Sequence, residues 1–377
     1  MNNLRILAVG LSSSAAAILF IAAHPDASPA KPLASAERKV EQVEKNIKVL
    51  NGTPQAQLFL TMRFMSASLG VSCEYCHLSK DGNFDFASDE KKPKRVARDM
   101  IKMTMVANKT TFGGKPEVSC FTCHRGQVAP QNLPGLPVPH LEAAGAPTAP
   151  SPSPTPALPP ADAIFNKYFV AIGADAAAHK IQSCAVRGSV VNASGSTGTY
   201  EAGQVIPGKL YETIITSRGT RARVINNDRG WEKTPYEIHP LEGLQLKDTS
   251  LAMPLSATIG LRGEYVKAET IKMDQINDRQ TYVVNATRAD GKRERLYFDA
   301  ENSLLLRRVS NTNTVIGVIQ EETDYEDYRE IGGVKLPTTI RVATVDSLNP
   351  TSTRKLESIE LNVPIDDAKF APPIADK

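Results

Sequence analysis

Two pentapeptides constrain this chain more than anything else in it: Cys73-Glu74-Tyr75-Cys76-His77 and Cys120-Phe121-Thr122-Cys123-His124. Both read C-x-x-C-H, the attachment motif for c-type haem. The spacing has a physical reason. Two thiols three positions apart reach the two vinyl groups on one edge of a porphyrin, and the following His supplies an axial imidazole nitrogen. Rival readings fit less well. A zinc site does not account for both trailing His, and a disulfide framework does not repeat a His at the same offset. Thioredoxin-like redox pairs need a surrounding βαβ pattern that the sequence lacks. The expectation is two haem c, with Cys73, Cys76, Cys120 and Cys123 as attachment points and His77 and His124 as axial ligands.

An electron-transfer haem usually has a sixth ligand, and a Met thioether favours the reduced iron. The helix-like segment Pro54–Leu69 carries Leu58, Met62, Met65 and Leu69 on one stripe. The segment Arg95–Asn108 carries Val96, Met100, Met103 and Ala107 on a similar stripe. Each stripe is followed by a Gly-containing turn (Gly70; Gly113-Gly114) and then by Val-Ser-Cys-x-x-Cys-His. Met also fills irregular gaps in ordinary cores, so spacing alone leaves the choice open within each stripe.

The run Asn46-Ile47-Lys48-Val49-Leu50, then Phe59-Leu60-Thr61-Met62, then the first motif resembles the photosynthetic reaction-centre cytochrome c subunit family. So does Ala97-Arg98-Asp99-Met100-Ile101-Lys102-Met103-Thr104, followed by Val118-Ser119, the second motif and Arg125-Gly126. The resemblance covers about residues 40 to 137. It implies a helix against each haem that donates the axial Met, which selects Met62 and Met100. Family members hold four haems in two similar halves, and only the first half is present here. In the family a His between the second helix and the second motif caps a haem of the other half. Residues 108–119 contain no His, in keeping with a two-haem unit.

At 377 residues the chain is too long for one ordinary domain. Met1 to Leu4, one Arg5 and an apolar, small-residue run from Ile6 to Ala23 read as residues 1–23 forming a secretory signal or a membrane anchor. Either sends the rest across a membrane, so the protein is expected to be exported and periplasmic, with inner-membrane anchorage if the leader is retained. Residues 129–160 hold 11 of the 26 prolines and read as a polyproline spacer between a block at 35–128 and a block at 161–377.

The last block opens with Phe165, Phe169, Ile172 and Ala176 at helical spacing. Short strands follow: Lys209–Thr216, Glu264–Met273, Thr281–Thr287, Arg293–Asp299, Leu304–Val309 and Val334–Val345. Asp290-Gly291 and Asn227-Asp228-Arg229-Gly230 are hairpin turns. The order of helix then sheet, with Tyr297-Phe298-Asp299-Ala300 leading into Leu304-Leu305-Leu306, resembles the curved half-barrels of outer-membrane lipoprotein carriers. Such folds can enclose an apolar ligand.

Other residues receive ordinary roles. Cys184 reads as a small buried hydrophobe. His140, His179 and His239 read as exposed, and Trp231 as packing. Asp324, Glu326 and Asp327 with Tyr325 and Tyr328 read as a solvated sheet face. The net charge of 44 − 41 = +3 leaves no electrostatic footprint for nucleic acid.

The expected fold class is therefore two-domain: a mainly α-helical c-type dihaem cytochrome domain, and an α+β domain with a curved antiparallel sheet. The expected function is one-electron transfer with redox partner proteins. Two rival readings are a haem enzyme such as a dihaem peroxidase, and a ligand-binding or scaffold protein whose sheet domain binds an apolar ligand or partner.

Overall fold

Two long helices dominate the first block, and each stops shortly before a Cys-x-x-Cys-His motif. A single turn, α1 (Val40–Val43), precedes α2 (Gln55–Leu69), whose N-cap is Pro54. Helix α2 ends at Gly70, which takes the left-handed conformation (φ 66°) that favours glycine. The first motif forms the short α3 (Cys73–Cys76), then strands β1 (Leu78–Lys80) and β2 (Asn83–Asp85) pair antiparallel. Helix α4 (Lys92–Thr111) follows, and the second motif forms α5 (Cys120–His124). The structure is a computed structural model. It describes residues 38–80, 83–130, 158–193, 195–217, 219–234, 238–261, 263–314, 316–345 and 351–374. The leader expected at 1–23, residues 131–157 of the expected linker and His140 lie outside the described residues.

Helix α4 opens with Lys92, Lys94 and Arg95, where the helix dipole disfavours cations. Their charges turn back instead. Lys94 Nζ donates to the Phe86 and Ser88 carbonyls (2.8 and 2.7 Å), and Arg95 donates to those of Asp89 and Glu90 (2.6 and 3.0 Å).

The second block begins with α6 (Ala161–Ala171) and α7 (Ala174–Ala177). Phe165, Phe169 and Ile172 are buried as their spacing predicts, but Ala176 is exposed. The helix breaks at Gly173, where a Cβ would come within 2.4 Å of the Gly333 carbonyl oxygen, and Ala174 becomes the buried residue. A first meander runs β3 (Ser183–Asn192), β4 (Thr197–Val205), β5 (Lys209–Thr216), β6 (Gly219–Asn226), β7 (Arg229–Lys233) and β8 (Ile238–Leu241). Helices α8 (Gly243–Leu251) and α9 (Pro254–Thr258) lead into the second meander. Its strands are β9 (Tyr265–Ile276), β10 (Arg279–Arg288), β11 (Arg293–Asp299), β12 (Leu305–Thr314), β13 (Gly317–Ile331), β14 (Val334–Ala343) and β15 (Thr351–Leu361). The two meanders join where β15 pairs with β3, giving one antiparallel sheet with β8 and β9 at its edges.

A flat sheet of thirteen strands would be about 58 Å wide at about 4.8 Å per strand. Yet one hydrophobic cluster reaches from Leu241 on β8, through Leu210 and Leu356, to Ala268 on β9, with Phe165, Tyr168 and Phe169 of α6 inside it. The sheet must therefore curl around its helices. The interior is filled by side chains: Phe165 meets Phe298 edge-on at 5.4 Å and stacks with Tyr265 at 5.9 Å.

The acidic, tyrosine-bearing stretch is solvated only in part: Asp327 is exposed and Glu326 and Tyr328 are half-buried. Tyr325 is buried, and Asp324 accepts two hydrogen bonds from Arg307 (2.6 and 2.9 Å). Asp327 sits in a bulge with φ 53°, where it accepts from Thr338 and Thr339. Cys184 is buried in the core, and burial pushes its thiol up to about 12.

The two blocks touch. Val40, Leu50, Phe64 and Ile101 of the first share a buried cluster with Ile316 and Ile319 of the β12–β13 hairpin. Arg38 pairs with Glu242 at 3.3 Å, and Gln245 donates to the Ala56 carbonyl at 3.0 Å.

A buried charge cluster ties the second meander to α8. Glu294 accepts two bonds from Arg308 (2.9 and 2.6 Å), one from Tyr265 Oη (2.6 Å) and a longer one from Arg288 (3.4 Å). Arg288 also bonds Asp248 at 2.7 Å. Replacing Glu294 by Gln takes the carboxylate partner from the buried Arg308, while Arg288 keeps Asp248 and Asp290, and breaking such a buried pair costs roughly 3–5 kcal/mol. Urea unfolding of Glu294→Gln should show a loss of that order; an unchanged midpoint would refute the role given to this cluster.

Candidate haem-binding site

Each motif places its two cysteines one helical turn apart, on α3 and on α5, with the His at or beside the helix end. All four cysteines are free. Burial raises the thiols of Cys76 and Cys120 above their ordinary range.

The His77 imidazole is set up as a neutral donor. Burial, reinforced by Lys94, Lys91 and Arg98, lowers the His77 pKa and favours its uncharged form. The His77 ring meets Phe86 edge-on at 5.1 Å, and Phe86 stacks on Phe84 at 5.2 Å. His124 donates from Nδ1 to the Gln127 carbonyl at 3.1 Å, which leaves Nε2 with its lone pair free to ligate.

The two methionine stripes differ. Helix α2 buries Thr61, Phe64 and Ser68, while Leu58, Met62, Met65 and Leu69 stay half-buried, and Leu58, Met62 and Met65 pack against the apolar cluster around Phe64. Helix α4 buries Ile101, Thr104 and Asn108, and leaves Met100 39% and Met103 53% exposed. Gap-filling in an apolar interior therefore fails to explain the Met100 and Met103 side chains. Helix α5 packs against both α2 and α4, and α3 packs against α4. The structure thus gathers both motifs and both methionine-bearing helices into one cluster. Two thiols and an imidazole per motif, with thioethers on the neighbouring helices, form a donor set chemically suited to an iron porphyrin.

Three supporting contacts have no counterpart in the motif reading. Asn108 is buried near the end of α4; its Nδ2 donates to the Val118 carbonyl (2.8 Å) and its Oδ1 accepts from the Val118 N–H (2.9 Å). It clamps the chain leading into the second motif. A buried Asn inside a helix is unfavourable without such partners, which is the signal that could have marked it. Gly126 N–H donates to the Ser68 carbonyl at 2.9 Å, and a Cβ on Gly70 would lie 2.2 Å from the Gly126 carbonyl oxygen. The entry to the first motif and the exit of the second therefore touch backbone to backbone. Third, Asp89 gathers Lys48 (2.7 Å), Arg98 (2.8 Å) and Lys94 (3.3 Å), while Arg98 also donates to the Asn46 carbonyl (3.0 Å). Asn46, Lys48 and Arg98 all belong to the stretches quoted for the family resemblance.

Comparison with known proteins agrees with those stretches. Residues 11–146 match the family described as photosynthetic reaction centre cytochrome C subunit. Over 97 residues the chain is 38% identical to cytochrome c-554 of Chloroflexus aurantiacus, covering 24% of this chain and 22% of that protein. Over 99 residues it is 31% identical to the photosynthetic reaction center cytochrome c subunit of Rubrivivax gelatinosus, covering 25% of this chain and 26% of that protein. The chain thus spans about a quarter of the length of these curated relatives. Among solved structures, a DUF1329 family protein from Desulfovibrio piger gives a TM-score of 0.39 at 13% identity, covering 57% of this chain and 98% of that one. The LolA superfamily protein NE2245 from Nitrosomonas europaea gives 0.37 at 16% identity, with the same two coverages of 57% and 98%. Among the described residues, no helix is long and apolar enough to cross a membrane.

Two outcomes test this framework. Asn108→Ala removes both partners of the buried Val118 backbone and should cost about 2 kcal/mol, read as a lower urea midpoint; an unchanged midpoint would reject the clamp. Hydrogen bonds from Arg98, then Lys48 and Asn46, hold the Asp89 carboxyl well below the usual carboxylate range. A depressed folded-state pKa contributes stability above the unfolded value of about 3.9 that is lost as pH falls below it. Asp89→Asn should therefore melt earlier than the parent at neutral pH, with the gap closing as the pH drops below about 4. A gap that stays constant across that range would sink the assignment.

Proposed function

We propose that this chain is an exported one-electron carrier with two covalently attached haem c groups. Cys73 and Cys76 would hold the first, with His77 and Met62 as axial ligands. Cys120 and Cys123 would hold the second, with His124 and Met100. The observation that carries this reading is the duplicated plan. Two Cys-x-x-Cys-His turns stand beside two methionine-bearing helices, and on α4 Met100 and Met103 stay exposed while Ile101, Thr104 and Asn108 turn inward. The similarity of the first block to reaction-centre cytochromes supports the same conclusion.

Haem iron would supply the chemistry by alternating between ferric and ferrous states. The protein's residues do the rest. Thioether bonds from four cysteines fix the cofactors permanently. The Gln127 carbonyl orients His124, and burial, reinforced by the cations around it, favours the neutral form of His77. Met thioethers favour ferrous iron and so raise the potentials. The contact between Gly126 and Ser68 holds the two motifs side by side, which suits electron passage between them and out to partner proteins. The leader-like residues 1–23 would place the carrier in the periplasm, released or membrane-anchored.

A dihaem peroxidase requires a five-coordinate iron with an acid or base on its open side, and the methionine on each helix speaks against it. An apolar ligand in the sheet block would have to displace Phe165, Tyr168 and Phe169 from its interior.

Mass spectrometry of exported, mature protein should find two haems on Cys73/Cys76 and Cys120/Cys123; bare thiols or cystines there would overturn the whole reading. With haem in place, Met62→His and Met100→His should each lower one of two redox potentials, because imidazole favours ferric iron more than a thioether does. A titration left unchanged by either substitution would reject that ligand.

A further inference from the structure

The tip of the β12–β13 hairpin is apolar and buried, where hairpin tips are ordinarily polar and wet. Thr314 faces Gly317 across the ladder, and Ile316 in the turn between them is fully buried. Thr314 shapes the turn: its hydroxyl donates to the Gly317 carbonyl at 2.8 Å and accepts from the Ile316 N–H at 3.4 Å. The cover over this tip comes from the first block. Ile316 and Ile319 share a cluster with Phe64 of α2 and with the partly buried Cys120 of the second motif. The fit is close enough to require glycine: a Cβ on Gly317 would stand 3.0 Å from the Phe64 ring and 3.2 Å from Ser119 Cβ. The tip's close approach is to the second motif, at Ser119 immediately before Cys120. Among the described residues the shared cluster includes Cys120 but neither Cys73 nor Cys76, and Met62 and Met65 pack against it from α2. The first motif is instead flanked by groups of its own block, with Lys91 donating to the Glu74 carbonyl and Phe86 against His77.

We infer that the β12–β13 hairpin tip is a built-in roof over the second motif that shields its haem from water and so sets its potential apart from that of the first. The inference rests on the two-haem reading above. Ferric haem carries one more positive charge than ferrous haem and gains more from water, so excluding water raises the potential and admitting it lowers the potential. The sheet block thereby acts on the redox chemistry through the residues Ile316, Gly317 and Ile319.

Spectroelectrochemical titration of the full-length holoprotein tests this. The double variant Cys120→Ser/Cys123→Ser, retaining only the first haem, identifies which wave belongs to which motif. Gly317→Val pushes the roof off Phe64 and Ser119, and Ile316→Ser removes its apolar contact. Each should move the second wave to lower potential and leave the first in place, with two haems still attached by pyridine haemochrome assay. Val266→Ser, on the exposed face of the edge strand β9, should move neither. Should either roof variant fail to fold, Ile319→Ala trims the same contact from within β13 without adding bulk, and should shift the same wave the same way. Two attached haems with both waves unmoved, or with both displaced together, would overturn the roof while leaving the carrier reading intact. An unsubstituted protein without covalent haem would overturn both.

Discussion

The backbone contact between Gly70 and Gly126 is the constraint on which the first block depends. Gly70 ends α2 three residues before Cys73, and Gly126 follows His124 by two. Because a side chain at Gly70 would collide with the Gly126 carbonyl, the two chain segments can approach this closely only with a glycine at position 70. The Gly126 N–H to Ser68 bond then locks the approach. Both motifs inherit their separation from this contact. Asn108 performs the matching task on the other helix by pinning Val118 just ahead of the second motif.

Much of this was legible in the residues. The motifs announced themselves, and β5 and β11 coincide with the expected short strands Lys209–Thr216 and Arg293–Asp299. The two-residue turn at Asn227-Asp228 joins β6 to β7, with Asn227 in the left-handed region its side chain tolerates. Strands β3, β4, β6, β7, β8 and β15 do not stand out in the sequence, and β13 does so only at its acidic residues 324–328. In β5 the three adjacent residues Leu210, Tyr211 and Glu212 are all buried, because both faces of the sheet are covered. Leu210 lies in the core around α6, whereas Tyr211 packs with Val224 and Phe370 on the opposite side. Two-sided burial erases the period-2 pattern on which strand recognition depends. Charged residues added to the confusion. Asp324 and Glu294 look solvated in a sequence and become buried partners of arginines only once distant strands meet.

The site was legible to a similar depth. Spacing located the cysteines and histidines and narrowed the methionines to two stripes. It could not foresee that Met100 and Met103 stay open while Ile101, Thr104 and Asn108 turn inward, because several apolar faces compete on α4. Nor could it foresee Asp89, whose role exists only where the 46–48 loop and the start of α4 converge. A polar hub of this kind is a tertiary object, assembled from segments 41 residues apart.

The pairing of β15 with β3 has a consequence for how the chain matures. The strand that closes the middle of the sheet follows every other strand of that sheet in sequence, so the first meander cannot complete its central neighbour until residues 351–361 have been made. Contacts this distant in sequence are slow to form, whereas the short-range contacts around the two cysteine turns are available from the moment that stretch emerges. The order of events is thereby written into the topology: the thiols are presented early on a small, locally determined framework, and the larger half assembles around it afterwards.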